Sequence, residues 1–96
     1  SDIYSNIALK QIFEDYYQKW ERKTRIYSFS NQIIEEENFK KIIAMGKKAT
    51  TFIIEKLKEE PSPLVWALNL IYNKKISNNP NTTIEQACKL WVESLS

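Results

Sequence analysis

The sequence predicts an all-α domain, a compact bundle of five to six helices spanning residues 1–96. Three observations carry that expectation. One glycine and three prolines in 96 residues leave few of the turns that β-hairpins require, and no Asn-Gly or Asp-Gly pair occurs. Apolar residues recur at helical rather than alternating spacing through most of the chain. Helix-starting and helix-ending residues fall between those periodic runs.

The first helix is expected from near Ile3 to near Thr24. Leu9, Ile12, Phe13, Tyr16 and Trp20 form one stripe of a 3.6-residue repeat, which Ile3 and Ile7 extend backward. The pattern lapses over residues 25–30, and Ser30 or Asn31 can cap the next helical segment. That second stretch covers residues 31–45. Ile33 and Ile34 do not share a stripe with Phe39, Ile42 and Ile43, so a break is expected near Glu37–Asn38. Glu36–Lys40 and Glu37–Lys41 have the spacing of i,i+4 ion pairs on an exposed face. Gly46 should end this element, because glycine takes the left-handed C′ conformation at little cost.

Ala49, Phe52, Ile53 and Leu57 continue as a helix to about Glu60. Ser62-Pro63 restarts the chain, serine as cap and proline where a missing N–H does no harm. Leu64, Ala67, Leu68 and Ile71 repeat the spacing to Tyr72. Residues 73–81 form a polar loop. Thr82-x-x-Glu85 then has the capping-box pattern and opens a last helix with Ile84, Ala87, Cys88, Trp91 and Leu95 on one face. Short connections favour antiparallel neighbours.

Two resemblances extend this reading. The run Met45-Gly46-Lys47-Lys48-Ala49 to Phe52-Ile53-Ile54-Glu55-Lys56-Leu57, followed by Trp66-Ala67-Leu68, resembles a HEAT-like helical pair at about residues 39–72. The wider pattern Trp20-x-x-x-Thr24, Ser28-x-Ser30, Ile42-Ile43-x-Met45-Gly46, Pro61 and Trp66-Ala67-Leu68-x-x-Ile71 is similar to a small bacterial and phage all-helical family. That family often has His-Pro where Glu36-Glu37 stands here, and Thr-Gly where Tyr72-Asn73 stands. The resemblance implies a helical fold and a phage or mobile-element setting, and it implies no activity.

The inventory subtracts chemistry. There is no histidine, a single cysteine and a single glycine. One thiol without histidine builds no zinc site and no internal disulfide, and one glycine builds no phosphate loop. Glu35, Glu36 and Glu37 are adjacent, so on a helix they diverge and read as a solvated face. Cys88 reads as a small buried hydrophobe. No catalytic, cofactor or metal residues are expected. The absence of a disulfide framework suggests a cytoplasmic protein. No apolar run reaches the ~18–20 residues of a membrane span. The chain opens on Ser1 rather than Met, which is compatible with a longer parent protein.

Two kinds of partner remain. Trp20, Trp66 and Trp91 read as core, whereas tyrosine is also enriched at interfaces, which makes Tyr16, Tyr17 and Tyr27 candidate partner-binding residues. One of the adjacent pair Tyr16–Tyr17 should point away from the core. A non-catalytic module binding a protein or peptide is the leading reading. The alternative is a small nucleic-acid-associated or regulatory protein using a phosphate-binding patch of Lys40, Lys41, Lys47 and Lys48. The net charge of +2 is low for a dedicated nucleic-acid binder.

Overall fold

A computed structural model describes residues 2–25 and 30–95. They form six α-helices and no strand: α1 (Asp2–Thr24), α2 (Ser30–Ile34), α3 (Glu37–Ala44), α4 (Thr50–Glu59), α5 (Val65–Ile71) and α6 (Ile84–Leu95), with a 3-10 turn over Gly46–Ala49 leading into α4. The all-α bundle expected from the sequence is the observed architecture. Helix α1 packs on α3, α3 on α5, and α4 on both α5 and α6. The segment expected to hold a helical pair therefore contains three helices, α3, α4 and α5.

The core joins Phe13 and Trp20 of α1 to Phe39, Ile42, Ile53, Leu57, Leu64, Leu68 and Trp91. On α1 the buried line is Phe13, Trp20 and Thr24, with Leu9, Tyr16 and Tyr17 half-buried beside it. Ile12, expected on the core stripe, is 44% exposed, and Ile7 is 51% exposed. Over residues 5–12 only Leu9 is half-buried, and the rest are exposed. The helix ends on Thr24, whose hydroxyl donates to the Trp20 carbonyl at 2.7 Å, one turn back.

The break between α2 and α3 falls at Glu35–Glu36, just before the expected place, because Glu36 is the cap of α3. Its backbone is extended, and its carboxylate accepts from the Asn38 amide at 2.8 Å and the Phe39 amide at 3.3 Å. The second carboxylate oxygen takes the Asn38 side chain at 3.0 Å and faces Lys23 Nζ at 3.7 Å. The Glu36 side chain is only 6% exposed, which corrects its assignment to a solvated face and to an ion pair with Lys40. A capping carboxylate also suits the positive end of the helix dipole. Glu37–Lys41 does form, at 3.3 Å.

Gly46 has φ +70, as a C′ glycine should. Ser62 Oγ accepts from the Leu64 amide at 3.2 Å and starts the turn into α5. Helix α5 ends with Asn73 at φ +50 and the Lys74 amide bonded to the Asn69 carbonyl at 2.9 Å, the six-to-one bond of a Schellman end. The capping box lies one residue beyond the expected one. The Thr83 amide donates to Gln86 Oε1 at 2.9 Å and the Gln86 amide to Thr83 Oγ1 at 3.1 Å. Thr82 is instead held by the loop, its hydroxyl donating to the Asn79 carbonyl at 2.7 Å and lying 2.9 Å from Ser77 Oγ.

Candidate functional site

An aromatic run crosses the bundle. Phe13 stacks on Tyr17 with centroids 6.0 Å apart and an interplanar angle of 15°, Tyr17 meets Trp20 at 5.9 Å, and Trp20 meets Phe39 at 5.5 Å. The seven-residue step from Phe13 to Trp20 spans two helical turns, and Tyr17 lies one turn from each on the neighbouring line. Trp20 Nε1 donates to the Ile33 carbonyl at 3.0 Å and so ties α2 to α1.

Neither tyrosine of the adjacent pair is fully exposed; both are half-buried. Tyr16 carries the ammonium of Lys41 5.7 Å from its ring centroid. Tyr17 is more deeply engaged. Its hydroxyl donates to Glu21 at 3.0 Å, and Lys56, itself paired with Glu14 at 3.1 Å, sits 4.8 Å from its ring centroid. Burial, then the Glu21 hydrogen bond and the neighbouring negative charge, hold the Tyr17 phenol well above the ordinary tyrosine range. Tyr27 lies outside the described residues.

Beside Tyr17 opens a groove of about 470 Å³ between the end of α1 and the turn that precedes α5. Tyr17, Trp20, Ile33, Pro61 and Pro63 supply apolar lining, while Glu21, Arg25 and Glu60 bring charge of both signs. The Pro-Ser-Pro turn has two fixed φ angles, so this wall is stiff without belonging to a helix. In the sequence Pro63 reads as a helix start and Pro61 as part of a family-like pattern, and nothing local says that a turn will stand against an aromatic helix face.

Trp66 also departs from its expected place in the core. It is half-buried and lines a recess of about 310 Å³ under the 73–83 loop, with Asn69, Ile76 and Pro80. Trp20 and Trp91 are the core tryptophans, 3% and 1% exposed.

The four lysines of the expected phosphate patch divide. All are exposed, but Lys41 turns to Glu37 and Tyr16, whereas Lys47 lies 5.2 Å from the ring centroid of Tyr72 on α5. Cys88 is buried, and its thiol points to the Ser62 carbonyl with Sγ 3.8 Å away. Desolvation pushes that thiol above its ordinary range, the opposite of what a nucleophile needs. Among the described residues no three His, Cys, Asp or Glu side chains converge on a metal-sized site. No helix among them is long and apolar enough to cross a membrane. Comparison with protein-family models, curated proteins and solved structures finds no match.

Proposed function

We propose that this protein is a non-catalytic, cytoplasmic interaction module that binds a protein or peptide segment in the groove between α1 and the Pro61–Pro63 turn. The observation that carries the reading is the groove itself, where an aromatic wall faces two prolines across an open channel. Partly buried aromatic and proline surface gives a ligand apolar contact at low entropic cost, because neither wall must be ordered on binding. Charges of both signs along the groove would orient an incoming chain. The mobile-element setting is suggested by the family resemblance.

Supporting the non-catalytic reading, the groups with chemical potential are engaged elsewhere. Glu36 caps a helix, Cys88 is buried with a raised pKa, and the Tyr17 hydroxyl is bound to Glu21. The test is quantitative affinity capture from host lysate with wild type and with Pro61→Arg, an exposed turn position outside any helix. A captured protein is then purified and titrated against both. The groove reading expects binding to wild type at least tenfold tighter than to the variant. Equal affinity would end it.

A further inference from the structure

The charge of this chain is segregated in a way that its net value of +2 conceals. Residues 38–54 and 61–84 contain Lys40, Lys41, Lys47, Lys48, Lys74 and Lys75 and not one Asp or Glu. All twelve carboxylate side chains lie in the other segments. The fold joins the two segments, since α3 packs on α5 and Thr50 Oγ1 is 2.9 Å from the Tyr72 hydroxyl. Lys47 and Lys74 then flank one aromatic pair. Tyr72 and Trp91 have centroids 5.5 Å apart, with Lys47 Nζ 5.2 Å from the first ring and Lys74 Nζ 5.7 Å from the second. Their sequence neighbours Lys48 and Lys75 are exposed beside them.

These cations also reach no carboxylate among the described residues, a property they share with Lys40, Lys58 and Lys89. Lys10, Lys19, Lys23, Lys41 and Lys56 each reach one. Lys75 borders the recess under the 73–83 loop, beside Ser77, Asn78 and Thr82.

We propose that the Lys47, Lys48, Lys74 and Lys75 face binds the phosphate backbone of nucleic acid, independently of the groove beside α1. Lysine ammoniums that reach no carboxylate, with neutral amide and hydroxyl side chains beside Lys75, are a set that contacts phosphate oxygens. The face holds lysine and no arginine, which suits point-charge contact with phosphates rather than bidentate reading of base edges, so binding should be indifferent to sequence. An acidic protein partner is disfavoured by the apolar content. Among the described residues, four of the five exposed large hydrophobics, Ile7, Ile12, Leu90 and Leu95, lie on α1 and α6, and only Leu70 falls within these segments. A protein interface would want an apolar centre there.

The test is fluorescence anisotropy of labelled 20-base-pair duplexes of two unrelated sequences, with the intact chain, between 25 and 200 mM salt. Four phosphate contacts give a log–log salt slope of about −3 to −4. Both duplexes should bind alike, and Lys47→Glu/Lys48→Glu should weaken binding at least tenfold. Lys58→Glu/Lys89→Glu is the matched control: the same charge change at exposed lysines that have carboxylates close by in sequence. It should weaken binding less than threefold, and circular dichroism checks that both variants fold. Equal losses in the two double variants would overturn the proposal, as would no measurable binding at 25 mM salt. Poly-glutamate competing as well as duplex at equal charge would overturn it in favour of an acidic protein.

Discussion

Replacing Trp20 tests how the bundle holds its first two helices. The indole is 3% exposed, packs between Tyr17 and Phe39, and donates to the Ile33 carbonyl at 3.0 Å. A buried tryptophan removes roughly 200 Å² from water, worth about 5 kcal/mol at ~25 cal/mol per Å² as an upper bound. Truncations of this kind fall at about 3–5 kcal/mol. The bond to the Ile33 carbonyl is only partly buried and Ile33 lines the groove, so water can replace the lost donor, and that loss adds at most about 1 kcal/mol. Trp20→Ala should therefore destabilise by about 4–5 kcal/mol. Trp20→Phe keeps most of the ring contact but not the donor, and should lose about 2 kcal/mol. A domain of this length holds about 5–14 kcal/mol in total, so the alanine variant approaches the edge of folding. Urea titration followed at 222 nm gives both values, with the midpoint falling and the slope unchanged. Trp66→Ala is the internal comparison; the Trp66 ring is less completely buried, and its loss should cost about 1–2 kcal/mol less than that of Trp20. A loss below about 1 kcal/mol for Trp20→Ala, or equal losses for Trp20 and Trp66, would show that Trp20 does not hold α1 and α2 to the bundle.

Gly46→Val should destabilise by about 1–2 kcal/mol through the backbone alone, because φ is +70 and an added Cβ would meet nothing within 4 Å. Gly46→Asn should recover much of that loss in the same urea assay, since asparagine tolerates the left-handed region; equal losses would point to a steric cause instead. Cys88 should resist Ellman's reagent in the native state and react quickly in urea. Its folded pKa is raised, so the thiol's contribution to stability is complete below the unfolded value of about 8.5 and declines as pH rises past it, because the unfolded chain ionises first. Cys88→Ala should flatten urea midpoints between pH 8 and 9.5, and a wild-type slope that survives the substitution would exclude the thiol as its source.

Much of the fold was legible because it rests on local rules. Gly46 ends a helix and Ser62 starts a turn for reasons contained within a few residues of each. Glu36 was harder. A glutamate before a helix can cap it or pair with a lysine one turn on, and only the burial that comes with α1 and Lys23 decides for the cap. Thr82 and Thr83 pose the same difficulty: both have an acceptor three residues on, and the Ser77–Asn79 loop takes the first of them. Periodicity placed Trp66 on an apolar helix, but Trp66 and Leu68 are two residues apart and take different faces of α5, Leu68 meeting the core and Trp66 the loop. Spatial neighbours among the lysines were not legible from sequence distance. Lys74 is 27 positions from Lys47, and only the Tyr72–Trp91 contact brings them to one face.

Helix α1 is continuous in hydrogen bonding but not in what holds it. From Phe13 to Thr24 its amides are tied to the whole bundle, so they should exchange with deuterium only when the domain unfolds globally. Over residues 5–12 only Leu9 is even half-buried, and the Lys10–Glu55 pair at 3.7 Å is between side chains each 53% exposed. A helical stretch of that length is marginal without tertiary support. One helix thus contains two thermodynamic regimes meeting near Phe13, a slow half that reports the stability of the domain and a fast half that frays without disturbing it. Polar substitutions at the exposed Ile7 and Ile12 should leave the core's folding equilibrium almost unchanged.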